Sequence, residues 1–302
     1  MPSFFDRLRT APLLCDGAMG TLLYAKGVFI NRCYDELNLS QPELIRGIHF
    51  EYLQSGADVI ETNTFGANSF RLAHHGLGDK VHEINLAGAQ LARQAVDKKG
   101  GQALVAGSMG PIGARIEPLG KIAREEARAS FREQAAALAE GGVDVFILET
   151  FGYLEEIHQA ILACREAAPQ IPVVALVTID EDANCLDGSD PETFARKLTE
   201  CGADVIGCNC SLGPAPLLEA LERVRAISDK PLGAQPNAGM PRSVEGRNIY
   251  LCSPEYMASY TKKFLRAGVQ FVCGCCGTTP EHIRAMAGAL RTTEARQPRM
   301  EV

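Results

Sequence analysis

Cysteines are concentrated in one stretch near the C-terminal end of the chain, residues 273–276, which read Cys-Gly-Cys-Cys. A hydrophobic run at 269–272 precedes them. Residues 279–281, Thr-Pro-Glu, follow and are typical of the first turn of a helix. A second apolar run ends in Cys-Asn-Cys at 208–210. Thiols grouped where buried strands end indicate metal binding or catalysis rather than a disulfide framework.

Side chains on a strand alternate between two faces, and this period assigns roles to the five cysteines. Cys210 shares a face with Cys208, and Cys275 shares a face with Cys273. We interpret Cys208 and Cys273 as packing residues of the protein interior. We predict that Cys210, Cys275 and Cys276 bind one Zn²⁺ ion. Three thiolates with a fourth position open are typical of a catalytic zinc site, since structural sites are closed by four protein ligands.

An open site with three thiolates favours one kind of chemistry. The thiolates donate charge to the metal and make it a poor Lewis acid for activating water. Such a site suits a substrate thiol, which loses its proton on binding although a free thiol has a pKa of about 8.5. The bound sulfur stays electron-rich, and the expected reaction is its attack on an electrophilic carbon. The pattern therefore predicts alkyl transfer to a thiol.

Three other interpretations of the cysteine cluster stay open. The cysteines could be small hydrophobic residues without a chemical role, or they could hold a different soft metal. Cys275 and Cys276 could also form a vicinal disulfide or a redox switch. None of the six histidines is needed as a ligand.

The elements that must position these thiols follow a repeating pattern of apolar run, polar turn and amphipathic segment. Eight runs read as strands, at 13–15, 57–61, 103–106, 143–148, 172–177, 205–207, 232–234 and 271–272. Segments that read as helices lie at 42–55, 125–140, 154–167, 191–201, 216–228 and 254–267. Continuous apolar strands alternating with such helices favour a parallel sheet covered by helices.

Eight such units predict an α/β fold, a (β/α)8 TIM barrel with its active site at the C-terminal ends of the strands. This barrel would occupy residues 1–291, with 292–302 as a tail or linker and 21–38 as an insertion after the first strand. Cys208 and Cys273 would then lie inside the barrel. The thiols, Asp16 and Glu149 all follow strands and would face one mouth.

Composition limits the classes of partner. The chain has 302 residues, 46% hydrophobic and 22% charged, which allows a large core. The net charge of −7 without a basic block argues against nucleic acid and against an anionic membrane as partners. No apolar run approaches the roughly 20 residues that span a bilayer. Eleven cysteines, mostly within apolar runs, predict a reducing compartment and a cytoplasmic location.

Six motifs, in order along residues 10–290, resemble the homocysteine S-methyltransferase family. They are Asp-Gly-Ala-Met-Gly-Thr at 16–21, Thr-Asn-Thr-Phe-Gly at 62–66, Glu-Thr-Phe at 149–151, Asn-Cys-Ser-Leu-Gly-Pro at 209–214, Pro-Asn-Ala-Gly at 236–239 and Gly-Cys-Cys-Gly-Thr-Thr-Pro-Glu-His at 274–282. The residues of these motifs are most similar to those of the homocysteine module of cobalamin-dependent methionine synthase. They are equally similar to those of the module fused to methylenetetrahydrofolate reductase in a bifunctional bacterial enzyme.

The resemblance implies a zinc-dependent TIM barrel that transfers a methyl group to the thiolate of L-homocysteine and so produces methionine. It implies the same zinc ligands, Cys210, Cys275 and Cys276. Beyond the zinc-activated substrate thiolate, no catalytic residue is implied.

The resemblance also implies a set of substrate-binding residues. Asp16 and Glu149 match the acids that hold the amino group of homocysteine. Gly17 and Ala18 match the backbone that receives its carboxylate. Asn237 matches an asparagine close to the metal, which would take the open position when substrate is absent.

The methyl donor stays open at this stage. A betaine donor would favour an aromatic cage, and the chain has no tryptophan. S-methylmethionine or another sulfonium compound would suit a free-standing barrel. Methylcobalamin or methyltetrahydrofolate would need folate or cobalamin domains in a longer chain.

Two further hypotheses belong to other functional classes. A metal-dependent lyase or hydrolase on the same barrel would need histidine or carboxylate ligands and a general base. A non-enzymatic zinc or thiol redox module would predict a closed site with four ligands, or oxidation of Cys275 and Cys276 without a role for Asp16 and Glu149.

Overall fold

The computed structural model describes residues 2–244 and 247–294. Its strands are β1 Leu13–Leu14, β2 Val59–Glu61, β3 Leu104–Met109, β4 Val145–Phe151, β5 Val173–Val177, β6 Val205–Asn209, β7 Leu232–Gln235, β8 Arg242–Val244, β9 Arg247–Ile249 and β10 Val269–Val272. Its helices are α1 Phe4–Thr10, α2 Gly20–Ala25, α3 Leu37–Ser40, α4 Pro42–Ser55, α5 Ser69–Ala73, α6 Val81–Lys99, α7 Arg124–Glu140, α8 Leu154–Ala167, α9 Pro191–Glu200, α10 Pro214–Arg225, α11 Pro254–Arg266 and α12 Pro280–Glu294.

Eight strands form one parallel sheet in the order β1-β10-β7-β6-β5-β4-β3-β2. The eight predicted strands are therefore confirmed, and β7 lies between β6 and β10 as expected. The sheet curls into a barrel whose seam lies between β1 and β2. Across this seam the Asp58 N–H donates to the Leu14 carbonyl at 2.7 Å. The predicted α/β TIM barrel is confirmed.

Three aspartates, Asp58, Asp144 and Asp204, hold the strands together at the end where β2, β4 and β6 begin. Each carboxylate accepts a hydrogen bond from a backbone N–H of the neighbouring strand and another from an arginine. The partners are Leu14 and Arg7 for Asp58, Val105 and Arg93 for Asp144, and Val173 and Arg165 for Asp204. The aspartates therefore bond adjacent strands at the end opposite the predicted mouth, where substitutions should affect stability rather than function.

Substitution Asp204→Ala is expected to lower the free energy of unfolding by about 1–3 kcal/mol, because it leaves the Val173 N–H without an acceptor and removes the Arg165 ion pair. Urea denaturation measures the change. The control is Asp229→Ala, since Asp229 is fully exposed and lies 3.9 Å from Arg225; this variant should change stability by less than about 0.5 kcal/mol. Equal stabilities for the two variants would contradict the assigned role.

Two apolar layers surround the strands. The inner layer fills the barrel and includes Leu176, Val205 and Phe271. Helix α1, which the sequence pattern did not predict, closes the bottom of the barrel, and its Phe4 ring packs edge-on against Phe271 at a centroid distance of 5.8 Å. The outer layer packs the opposite face of each strand against the helices and includes Ile206. The barrel interior is therefore filled from below, and only its upper end is open.

The six predicted helices are confirmed, with ends that differ by at most a few residues. Helix α6 was not predicted. Its buried face contains Asn85, Gly88 and several alanines, so the period of large apolar residues that marks a helix in sequence is weak. The antiparallel hairpin of β8 and β9, between β7 and α11, was not predicted either.

The last helix of the barrel ends later than predicted. Helix α12 extends past residue 291, where the barrel was expected to end, and continues to Glu294. Residues 295–302 of the predicted tail lie outside the described residues. The predicted insertion at 21–38 contains most of α2 and the start of α3. Within the described ranges, none of the helices combines the length and the hydropathy required to cross a membrane.

Candidate metal and substrate site

Three thiols meet at the mouth of the barrel. The sulfurs of Cys210, Cys275 and Cys276 all lie within 4.8 Å of one another, and Cys210 Sγ is 3.9 Å from Cys276 Sγ. Tetrahedral zinc with Zn–S distances of about 2.3 Å separates its sulfurs by about 3.8 Å. The thiols therefore have the spacing that such an ion requires. Within the described residues, no fourth cysteine, histidine or acid joins this group.

Contrary to the sequence prediction, Cys210 does not share a strand face with Cys208. Cys208 was expected inside the barrel, on the same face as Cys210. This prediction is wrong, because Cys208 lies in the outer layer with Ile206, packed against the helices. Cys210 turns toward the mouth because its backbone and that of Ser211 are left-handed, with φ of 56° and 52°. The strand period ends at Asn209, so it could not be extended to Cys210.

Cys273 does lie inside the barrel, as predicted. Beyond it the chain makes a tight turn that carries the other two thiols. Gly277 has φ of 80°, and a Cβ atom there would stand 2.2 Å from the Cβ of Tyr250. Glycine is therefore required at this position by both conformation and space. The turn brings Cys275 and Cys276 against the residues that follow β7.

Hydrogen bonds between the thiols distribute their protons unequally. Bonds from Cys210 and Cys275 lower the pKa of Cys276 to about 3. The pKa of Cys275 is raised well above its usual range by its bonds to Cys210 and Cys276 and by burial. One thiolate thus stands between two thiols whose protons a metal ion could replace. All eleven cysteines lie in the described residues, and none of them forms a disulfide bond.

Asn237 lies beside the thiol turn. The Cys275 N–H donates to the carbonyl of Pro236, and the Ala238 N–H donates to the carbonyl of Cys276. Asn237 is 2% exposed, and its Oδ1 has no hydrogen-bond partner among the described residues. Its side chain is not among those that line the cavity described next.

A cavity of about 570 Å³ extends from the thiols across the mouth of the barrel. Its floor includes Asp16, which lies just beyond β1, Glu61, which ends β2, and Glu149, which lies near the end of β4. The outer part of its wall is formed by residues of the segment after β1 and the segment after β2, namely Arg32, Cys33, Tyr34, Asp35, Asn63, Phe65, Gly66, Arg71 and His75.

Asp16 and Glu149, both predicted as substrate-binding residues, lie in this floor and are 2% and 6% exposed. Burial raises the pKa of Asp16 well above its usual range. Burial also raises the pKa of Glu149, against the effect of hydrogen bonds from Ser108 and Glu61. Ser108 Oγ donates to Glu149 Oε1 at 2.5 Å. Neither acid forms an ion pair within the described part of the chain.

Two floor residues were not predicted from sequence. Glu61 ends β2, and Gln235 ends β7. Gln235 Nε2 donates to Glu61 Oε1 at 3.0 Å and to Glu149 Oε2 at 3.2 Å. Burial, followed by the charge of Glu149, raises the pKa of Glu61 well above its usual range. Asp16 and Glu149 were selected because they are polar residues near the end of a strand. The same rule would also have selected Glu61 and Gln235.

Gly17 and Ala18, predicted to receive a carboxylate, form the cavity wall next to Asp16. The Ala18 N–H donates to Thr278 Oγ1 at 3.0 Å, and the Ala18 carbonyl accepts a hydrogen bond from the Tyr52 hydroxyl at 2.7 Å. A Cβ atom at Gly17 would stand 2.6 Å from Thr278 Oγ1, so the loop lies close against the start of α12. The loop is held in place, and in this structure its Ala18 amide is bonded to Thr278.

A second group lies deeper in the barrel, where Cys15, Glu61 and Cys273 approach one another within 4.8 Å. Cys15 and Cys273 are fully buried side by side, since β1 pairs with β10. Burial raises the pKa of both thiols. These thiols therefore hold their protons, unlike Cys276.

Comparison with known proteins matches this arrangement to one family. The family model described as homocysteine S-methyltransferase matches residues 13–290. Methionine synthase of Mycobacterium tuberculosis (strain ATCC 25618 / H37Rv) is 33% identical over 299 residues, which cover 94% of this chain and 25% of the relative. Methionine synthase of Mycobacterium leprae (strain TN) is 34% identical, covering 98% of this chain and 26% of the relative. The chain thus spans about a quarter of the length of these relatives.

Among solved structures, the metallated form of the homocysteine methyltransferase MmuM from Escherichia coli superposes with a TM-score of 0.79 and 26% sequence identity. The match covers 92% of this chain and 96% of that one. The apo form of the same enzyme superposes with a TM-score of 0.72. From the family match over nearly the whole barrel, this chain belongs to the homocysteine S-methyltransferase family.

Proposed function

We propose that this barrel binds Zn²⁺ through Cys210, Cys275 and Cys276 and transfers a methyl group to the sulfur of L-homocysteine, giving methionine. One observation carries the proposal: within the part of the chain that the structure describes, a group of three thiols without a fourth protein ligand opens onto a cavity whose floor holds acids without ion-pair partners. The thiols suit the sulfur of an amino acid thiol, and the acids suit its ammonium group. A lyase or hydrolase would need histidine or carboxylate ligands, and all three members of this group are thiols.

The donor set fits zinc in two respects. Sulfur ligands at this spacing suit a borderline-soft ion, and an open fourth position is typical of catalytic sites. A nearby metal ion would also give the orphaned Oδ1 of Asn237 a partner. When bound, zinc would hold the substrate sulfur as a thiolate at neutral pH.

The chain's own residues would orient the substrate for this reaction. The acids Asp16 and Glu149 would accept hydrogen bonds from the α-ammonium group, whose charge compensates them in a buried site. Gly17 and Ala18 would border the α-carboxylate. The Ala18 N–H would give up its hydrogen bond to Thr278 Oγ1 and donate to the carboxylate instead. The substrate's thiol proton leaves to solvent, a new sulfur–carbon bond forms, and the bond between the methyl group and its donor breaks.

The cavity also supports a statement about the donor. Tyr34 and Phe65 are the aromatic side chains among the described residues of its lining. The guanidinium of Arg71 already stands over the Phe65 ring, 5.3 Å from its centroid. A quaternary ammonium needs several free aromatic faces and no neighbouring cation. We therefore propose a donor other than betaine, either a sulfonium compound or a folate or cobalamin group carried by further domains.

The proposal is tested by zinc-edge X-ray absorption on the purified protein, with and without L-homocysteine. We expect three sulfurs and one light atom before addition, and four sulfurs at about 2.3 Å afterwards. Zinc that is present but unchanged by homocysteine would disprove the substrate assignment. A protein that binds no zinc would disprove the metal assignment.

A further inference from the structure

Glu61 is a half-buried acid that the proposed function leaves without a role. It ends β2 and lines the floor of the cavity together with Asp16 and Glu149. It forms no ion pair within the described residues, and taking a carboxyl group partly out of water is costly unless a partner compensates it. Its position calls for a cationic or strongly hydrogen-bonding partner in the cavity.

Hydrogen bonds join Glu61 to both acids already assigned to the substrate amino group. Its backbone N–H donates to Asp16 Oδ2 at 3.2 Å. The amide nitrogen of Gln235 bonds to one oxygen of Glu61 and to one oxygen of Glu149. The carboxyl groups of Glu61 and Glu149 therefore lie close together, since both are within hydrogen-bond distance of one nitrogen atom, and the Asp16 carboxyl group lies beside the Glu61 backbone.

Gln235 supplies an independent sign that a ligand completes this network. It is 2% exposed and lines the cavity, and its Oε1 has no hydrogen-bond partner among the described residues. A buried amide oxygen without a donor is uncommon and costs free energy. A ligand with N–H donors would satisfy it. A primary ammonium group has three donors and no acceptor, which suits an unpaired amide oxygen beside carboxyl oxygens.

We propose that Glu61, oriented by Gln235, is a third carboxyl contact for the α-ammonium group of the substrate and makes the site specific for amino acid thiols over thiols that lack an amine. This inference rests on the proposed function, because it takes homocysteine as the ligand. Glu61 would touch the substrate, whereas Gln235 acts mainly as a positioning residue that holds Glu61 and Glu149 toward one point.

Binding of two ligands tests this role. L-homocysteine and 4-mercaptobutanoate share the thiol, the chain and the carboxylate, and only homocysteine has the amine. Isothermal titration of the zinc-loaded protein with each ligand measures the contribution of the amine. In Glu61→Gln we expect homocysteine affinity to fall by about 10- to 100-fold, the range for a hydrogen bond to a charged group, while 4-mercaptobutanoate affinity changes by less than about 3-fold.

Two further variants keep the test decisive. Gln235→Met preserves the length of the side chain but removes the bridging amide, so it should show the same amine-specific loss. It replaces Glu61→Gln in the test if that variant does not fold. Glu156→Gln is the matched control, because Glu156 is a buried acid on α8 that bonds to the Ile112 N–H and does not line the cavity. This control should bind both ligands as the unmodified protein does.

The outcomes separate this inference from the proposed function. Equal loss of both ligands in Glu61→Gln would show a structural role and overturn the inference. Unchanged homocysteine affinity in Glu61→Gln, with reduced affinity in Asp16→Asn and Glu149→Gln, would overturn the inference and leave the proposed function standing. Unchanged affinity in all three variants would overturn the proposed substrate itself.

Discussion

Substitution of any one of Cys210, Cys275 and Cys276 by alanine is expected to weaken zinc binding by at least about 100-fold and to abolish methyl transfer. Loss of groups that merely support metal ligands already weakens metal binding by about 10- to 100-fold, and loss of a ligand should exceed this. The three sulfurs lie within 4.8 Å of one another, so each would contribute one of the three protein bonds to the ion. Zinc content by mass spectrometry and competition with a chelator measure the effect.

The matched controls are Cys208→Ala and Cys273→Ala, which should keep both zinc and activity. Cys208 faces the helices, and Cys273 packs inside the barrel. The second control also tests the deeper group of Cys15, Glu61 and Cys273. Loss of zinc in Cys273→Ala would place the metal in that deeper group. Retention of zinc in Cys276→Ala would disprove the proposed ligand set.

Substitutions Asp16→Asn and Glu149→Gln are each expected to reduce homocysteine affinity by about 10- to 100-fold while zinc stays bound. Each removes a carboxyl group that would be negatively charged beside the bound ammonium group, in a cavity floor where no ion pair within the described residues compensates it. Each also converts a charge-assisted hydrogen bond into a neutral one. Calorimetric titration with homocysteine gives the affinity, and metal analysis of the same samples gives the zinc content.

The result for these acids separates two classes of function. A zinc-storage or redox module would bind its metal equally in all variants and show no dependence on Asp16 or Glu149. Glu149 also accepts a bond from Ser108, so thermal melting should be measured beside binding. Affinity that is unchanged in both variants, with intact folding, would contradict the assignment of the amino-group site.

The barrel could be predicted because its strands are buried on both faces. Such strands read as continuous apolar runs whatever surrounds them, and each is followed by a turn with polar residues. Helix α6 was missed because Asn85 and Gly88 interrupt the apolar residues of its buried face. The side chain of Asn38 bonds to the carbonyls of Asn63 and Ile84, contacts that only the assembled barrel creates.

The direction of single side chains was harder to predict than the elements. The period of two placed Cys273 correctly, because it lies directly beyond β10 and its N–H still donates to the Ala234 carbonyl of β7. It failed for Cys208, which was paired with Cys210 across a change of backbone conformation. Thr150, with φ of 65°, marks a similar break within β4, where the Thr150 N–H donates to Asn209 Oδ1 at 2.7 Å. This bond joins β4 to β6, between which β5 lies in the sheet.

The sequence by itself determined the order of strands and helices and the polar residues that follow each strand, because local periodicity and turn chemistry encode both. It thereby indicated that Asp16, Glu149 and the thiols lie together at one mouth of the barrel. Only the tertiary structure decided which atoms meet there. Glu61 and Gln235 joined the floor because closure of the barrel leaves only β1 and β10 between β2 and β7, and contacts across a barrel depend on its closure rather than on any local pattern.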